Sequence, residues 1–289
     1  MLAKRQLHKD TKEALKKLSR EERASYILSD NWVKYPAGLE ILNELQFTLE
    51  RPQCNRPLGM AIVGDSNNGK TEILKRFIQV NQTNRFNDRA NVRILDIEAP
   101  PTPHLGHLYS KILGRIGDPR AEFGTVGLRL ERMLILLKRL EVECLVIDEI
   151  HNVLAGSAAQ QRGFMNMLKH ISNELKSPVI ISGTEKVHNV IRLDFQVQSR
   201  YPSYELPRWR PNKEMAEFLF RLEGSMPLRE ESRIWEVTAE IYDISGGVIG
   251  NFVNIIKRAA FDAIKSGEEK ITLKALKHCA QKLVKPCPK

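Results

Sequence analysis

Cysteine is scarce in this chain: four residues in 289, at Cys54, Cys144, Cys279 and Cys287. Thiols so scattered form no disulfide framework, and His278, Cys279 and Cys287, though close in sequence, lack the spacing of a zinc site. Long apolar runs are missing too. No stretch approaches the roughly 18–20 residues that a helical membrane span requires, which excludes a bilayer-crossing helix. The N-terminal MLAKRQLHKDTKEALKKL has no uninterrupted apolar core of the secretory type, so a cytoplasmic location is expected. No internal repeat and no low-complexity tract occurs. Acidic residues are in deficit, 35 against 45 Lys and Arg, leaving a formal charge of +10 and a pI near 9.4. A basic surface attracts polyanions, of which nucleic acid is the commonest in a cytoplasm, although charge alone leaves open a merely solvated, lysine-rich surface.

What remains is ordinary globular composition, 42% hydrophobic and 28% charged, on a chain long enough for one large domain with an extension at each end. Inside it, Gly64-Asp65-Ser66-Asn67-Asn68-Gly69-Lys70-Thr71 spells a full G-x-x-x-x-G-K-[ST] phosphate loop, directly after the apolar run Leu58–Val63. A buried strand that ends in such a loop and opens a helix lets backbone N–H groups and a helix N-terminus wrap a polyphosphate. Lys70 then reaches the β- and γ-phosphates, and the Thr71 hydroxyl sits on Mg²⁺. Binding of ATP with Mg²⁺ is the expectation.

A second apolar run, Cys144-Leu145-Val146-Ile147, ends in Asp148-Glu149. A carboxylate at the end of a buried parallel strand is costly unless a cation or hydrogen bonds satisfy it, which makes Asp148 the expected Mg²⁺ anchor. Glu149, one residue on, is placed to orient and deprotonate the attacking water, so hydrolysis is expected as well as binding. Asp148-Glu149-Ile150-His151 also spells a D-E-x-H box of the helicase kind. Such helicases need two nucleotide-fold lobes, and this chain has room for one, so His151 reads as a neighbour of the site.

Apolar runs alternate with helical patterns as an α/β parallel sheet demands. Strands are predicted at 58–63, 92–97, 143–147, 178–182 and 203–206. Helices are predicted at 38–49, 71–80, 105–115, 126–140, 160–175 and 185–192. Ser19-Arg20-Glu21-Glu22 reads as a capping-box start. Beyond Pro211 only helices are expected, over 212–222, 229–241, 248–264 and 272–283, separated by glycines. The domain reading is a basic extension over 1–30, a nucleotide-binding α/β domain over 31–210 and a helical lid over 211–289. The extension, with Lys4, Arg5, Lys9, Lys12, Lys16, Lys17 and Arg20, reads as a mobile arm for DNA or a protein partner.

A nucleotide sheet followed by a helical lid resembles the plan of AAA+ P-loop ATPases. Under that resemblance the hydroxyls ending Val179–Thr184 stand where such enzymes keep a polar sensor of the γ-phosphate, Thr184 first and Ser182 second. The segment Asp194–Arg200 resembles the one that offers an arginine finger to the adjacent subunit, which implies Arg200, with Arg192 in reserve. One departure is visible: Gly246-Gly247-Val248-Ile249-Gly250-Asn251 has no arginine where many AAA+ lids carry a second sensor. Trp32–Ala37 ahead of the phosphate loop, Glu205–Trp209 and Ser245–Gly250 resemble the TniB/TnsC group of transposition ATPases. That resemblance implies a regulator that assembles with ATP on double-stranded DNA as a ring or helical filament. It would mark a target, engage a transposase and a target-selection protein, and disassemble on hydrolysis. Tyr35 and Pro36 would border the adenine, and the loop Arg115–Arg120 with Thr125, plus the basic leader, would contact DNA. The alternatives are another AAA+ DNA loader, of the insertion-sequence-helper or replication-initiator kind, and a nucleotide-gated scaffold with little turnover. A signalling NTPase with no nucleic-acid role is a further rival.

Overall fold

The computed structural model describes residues 5–29, 32–81, 92–192 and 195–283. Lys4, Asp194 and Cys287 from the readings above lie outside the described residues. In chain order the helices are α1 (Lys9–Lys17), α2 (Arg20–Leu28), α3 (Pro36–Leu49), α4 (Lys70–Asn81), α5 (Leu105–Arg115), α6 (Val126–Arg139) and α7 (Ala158–Leu175). They continue with α8 (Val187–Ile191), α9 (Phe195–Gln198), α10 (Lys213–Gly224), α11 (Thr238–Ser245), α12 (Ile249–Ser266) and α13 (Leu273–Leu283). Five strands are interspersed, β1 (Met60–Gly64), β2 (Ile94–Glu98), β3 (Cys144–Asp148), β4 (Val179–Gly183) and β5 (Ser203–Leu206).

The chain forms two compact units, one of Ala37–Ser66 with Lys70–Leu206 and one of Met1–Pro36, Asn67–Gly69 and Pro207–Lys289. The first carries a single sheet in the order β2-β3-β4-β1-β5, every pairing parallel. Its central strands are buried along their length, which is why they read as unbroken apolar runs rather than alternating ones. β5, at the edge, is exposed at Ser203 and Glu205 and buried at Leu206. One face of the sheet, through Ala61, Val63, Leu145, Ile147 and Ile181, packs on Leu108 and Ile112 of α5, Met133 and Leu137 of α6 and Phe164 and Leu168 of α7. Because all strands are parallel, their carboxyl ends share one edge, where open α/β sheets bind ligands. The register places Asp148 opposite Glu98 and Gly64 opposite Leu206 at that edge.

The second unit is helical. The capping box at Ser19 forms as its sequence suggests, Ser19 Oγ accepting from Glu22 N at 3.3 Å while Ser19 N donates to the Glu22 carboxylate at 2.8 Å. Arg23 on α2 is 2% exposed and pairs with Glu269 through two bonds of 2.6 and 2.7 Å. Tyr35, Trp209, Phe218 and Phe252 form a chain of tilted and edge-on rings.

Two expectations are corrected here. The described part of the basic leader is not a mobile arm: α1 buries Thr11 and Ala14, His8 N donates to Gly224 O at 2.9 Å, and the Arg5 guanidinium donates to the carbonyls of Met226, Leu228 and Glu230. Its lysine count concealed an amphipathic face narrow enough to be missed. The helix expected over 229–241 is also absent. The fully buried Glu223 carboxylate accepts from the N–H groups of Ser232, Arg233 and Ile234, turning the chain through a left-handed Arg233 at φ 56°. A 3-10 turn over Ile234–Val237 and then α11 replace the single helix.

Candidate functional site

The phosphate loop leaves β1 at Gly64 and enters α4 at Lys70. Gly69 takes φ 88°, a region that only glycine occupies without strain, and Asn67 takes φ 59°, for which asparagine is among the better-suited side chains. Lys70 is 4% exposed, and its ammonium donates to the carbonyls of Gly64 at 2.9 Å and Asp65 at 2.7 Å. Burial pushes that ammonium below the usual lysine range, while Glu149, Asp148 and Asp65 oppose the shift.

One residue into the helix, Thr71 Oγ1 donates to Asp148 Oδ2 at 2.6 Å, which joins the two motifs directly. Asp148 Oδ1 accepts from Glu149 N at 2.9 Å. Glu149 is left-handed at φ 56°, so the chain turns sharply as it leaves β3, and its carboxylate lies 3.2 Å from His151 Nε2. On the neighbouring strand end, Ser182 Oγ and Thr184 Oγ1 are buried with no hydrogen-bond partner among the described residues. Thr71 and Asp148 are thus in direct contact, and Ser182 and Thr184 stand at the end of the next strand of the sheet.

The donor set fits magnesium nucleotide. A hydroxyl and a carboxylate already converging within hydrogen-bond distance are hard oxygen ligands of the kind Mg²⁺ takes, and a lysine with a helix N-terminus beside them suits phosphate.

The remaining candidates are placed unequally. Arg200 follows α9 and donates to Asn173 Oδ1 on α7 at 2.7 Å, with Phe195 of the same segment 81% exposed. Arg192 follows α8 and is exposed. Arg115 is engaged at home, paired with the Asp96 side chain at 2.6 Å and bonded to the Asp96 carbonyl at 3.0 Å. Thr125 caps α6 by accepting from Leu128 N at 3.3 Å. All three proposed DNA contacts are exposed, Arg120 on the loop that Arg132 braces through Asp118. Pro36 is exposed at the first position of α3, where its fixed φ suits a helix start. Tyr35 is buried, its ring packed against Trp32, Trp209 and Phe218. A methyl group at Gly69 would lie 3.6 Å from the Tyr35 hydroxyl.

Sequence reasoning missed what holds the loop tip. Asn67 O accepts from Gly250 N at 3.0 Å, and Asn67 Nδ2 donates to Asn251 Oδ1 at 2.9 Å. Asn68 donates to Pro207 O at 3.1 Å. The start of α12, lacking the arginine of many AAA+ lids, meets the loop tip with amides instead. The close approach of two backbones at Gly250 was the available signal.

Comparison with solved structures finds the same fold at low identity. Cdc6p from Pyrobaculum aerophilum superposes with a TM-score of 0.67 at 16% identity, over 91% of this chain and 72% of that one. The Aeropyrum pernix ORC2 protein, solved as ADPNP-ADP complexes, gives 0.67 at 15% over 91% and 72%. The ORC1 protein of the same organism, solved in complex with DNA, gives 0.63 at 15% over 89% and 69%. At such identities the likeness establishes the fold alone, a parallel sheet flanked by helices with a helical C-terminal region. Among curated proteins no sequence matches. The model of the bacterial TniB protein family matches residues 23–211, well over half of the chain, and takes in the phosphate loop, both strand-end acids and the segment up to Arg200. The chain belongs to the TniB family.

Proposed function

We propose that this chain is an ATP-hydrolysing, DNA-binding regulator of transposition in the cytoplasm. It oligomerises on double-stranded DNA when ATP is bound, marks the target, and engages a transposase and a target-selection protein. The observation that carries the reading is the 2.6 Å bond between Thr71 and Asp148 in a chain of the TniB family, because it unites phosphate loop and strand-end acids in one site.

Each role follows from a position. The loop Gly64–Thr71 holds the triphosphate through backbone N–H groups, and Lys70 neutralises β- and γ-phosphate charge. Thr71 and Asp148 hold Mg²⁺, which when bound neutralises phosphate charge and orients the γ-phosphate. Glu149 aligns the water and accepts its proton. Thr184, buried and unpartnered, senses the γ-phosphate. Arg200 acts on the site of the next protomer, where a guanidinium fork suits phosphate oxygens. Tyr35 and Pro36 border the adenine. A head-to-tail contact of this sort closes into a ring or propagates as a helix. DNA is held by phosphate contacts, Arg120 foremost with Arg115 and Thr125 beside it, so binding is sequence-tolerant and salt-sensitive.

A second reading, a nucleotide-gated scaffold with little turnover, is favoured by Asn251 standing at the start of α12 in place of an arginine. One experiment separates them. ATPase activity is measured with and without duplex DNA, and electron microscopy compares ATP, a non-hydrolysable analogue and ADP. The regulator shows DNA-stimulated turnover lost in Glu149→Gln and ATP-dependent assemblies lost in Lys70→Ala. Absence of DNA stimulation together with indifference to Glu149→Gln would establish the scaffold instead.

A further inference from the structure

We propose that His151 is the positioning residue that holds the Glu149 carboxylate for hydrolysis. The inference rests on the assignment of Glu149 above and goes beyond it. Glu149 follows its strand in a left-handed turn, a conformation that is strained for a non-glycine residue and persists only where the surroundings fix it. The main chain is fixed on both sides: Glu149 N donates to Asp148 Oδ1, and Glu149 O accepts from Asn152 N at 3.0 Å. The side chain has three further rotatable bonds, and the 3.2 Å approach of His151 Nε2 to Glu149 Oε2 restrains them. A carboxylate only accepts, so the approach is attractive when Nε2 carries a proton.

The other edge of the ring makes the case stronger. His151 Nδ1 is buried and has no hydrogen-bond partner among the described residues. An orphaned buried polar atom is destabilising, so the ring is not there for the stability it confers. Its place is nonetheless closely shaped: a β-carbon on Gly183 of β4 would come within 3.3 Å of both His151 N and Nδ1. Strand, glycine and ring together direct Nε2 at the carboxylate. A strained backbone and an unsatisfied ring nitrogen, adjacent at the end of β3, fit a site built for positioning rather than for folding.

The test is steady-state ATP hydrolysis by the full chain with Mg²⁺ and duplex DNA, alongside binding of a fluorescent ATP analogue and thermal unfolding. His151→Ala is expected to lower kcat by about tenfold or more, the usual scale for loss of an orienting partner, with nucleotide affinity and melting temperature unchanged. His151→Gln, whose amide N–H can still reach the carboxylate, restores most of kcat. In a Glu149→Gln background His151→Ala has no further effect, because there is no carboxylate left to orient. An unchanged or raised kcat in His151→Ala overturns the inference, as does a loss that adds to that of Glu149→Gln or that runs in parallel with affinity. A wild-type protein with no turnover under any condition sinks the hydrolytic reading itself, whereas normal turnover indifferent to His151 sinks only this step.

Discussion

Thr71 and Asp148, from opposite halves of the nucleotide motif, share a 2.6 Å hydrogen bond. If these two oxygens hold Mg²⁺, as proposed above, the affinity for nucleotide should depend strongly on the metal through both residues. Asp148→Asn keeps the shape and removes the charge. ATP titration calorimetry with Mg²⁺ and with EDTA is expected to show the wild-type preference for the metal complex shrinking on the order of 10–100-fold in the variant. An unaltered preference would place the metal elsewhere.

Arg200 is held within its own protomer by Asn173 at 2.7 Å. To serve a neighbouring site it must exchange that partner for phosphate, which is a modest cost for a partly exposed pair. Two consequences can be measured. Arg200→Ala should lower turnover without changing nucleotide affinity. Mixed one to one with Glu149→Gln, it should regain activity, since the Glu149→Gln protomer keeps its phosphate loop and supplies an intact arginine to a site with an intact Glu149. If the mixture stays as inactive as its parts, the arginine does not act in trans.

The sheet and the strand, loop and helix around Gly64–Thr71 were legible in the sequence because their physics is local. Buried parallel strands need unbroken apolar runs, and a phosphate loop needs its glycines, lysine and hydroxyl at fixed spacing. β5 and α5 fall where their sequence placed them. What escaped depends on partners distant in sequence. α1 packs within the helical unit through so few residues, Thr11 and Ala14, that its lysines dominate the pattern. The break near Arg233 is imposed by Glu223, whose burial no periodicity around residue 233 announces. His151 was visible as the end of a D-E-x-H box, but its aim at Glu149 depends on the room left by Gly183 on another strand.

Gly250 tests how the loop tip is held. Alanine near a helix start is ordinarily favoured over glycine by up to about 1 kcal/mol, so propensity alone predicts a stabilised Gly250→Ala. Geometry predicts otherwise, because the new β-carbon would stand 2.2 Å from Asn67 Oδ1 and 2.5 Å from the Asn67 carbonyl oxygen. A side-chain amide can swing aside; a main-chain oxygen in the phosphate loop cannot move without moving the loop. Gly250→Ala is expected to weaken ATP binding by about tenfold, near 1.4 kcal/mol, with little change in melting temperature. Unchanged affinity would mean that the loop tip tolerates displacement.

The Arg23–Glu269 pair makes the last prediction, on stability and its pH dependence. Both side chains are nearly inaccessible, at 2% and 9%, and Arg23 also donates to Pro227 O at 2.8 Å. Removing one member strands a buried charge, a loss of about 3–5 kcal/mol, whereas replacing both with apolar groups of similar volume is often neutral. Glu269→Ala should therefore unfold at markedly lower denaturant, and Arg23→Met with Glu269→Leu should recover much of the loss. The hydrogen bonds from Arg23 hold the Glu269 carboxyl below the usual carboxylate range, against the opposing effect of burial. A depressed folded-state pKa stabilises fully above the unfolded value, about 4.3, and the contribution fades as pH falls through the lower folded value. The gap between wild type and Glu269→Ala should thus be constant from neutral pH down to about pH 5 and narrow below it. A gap that stayed constant into strong acid would show that the packing of the side chain, and not its charge, supports the α2 contact.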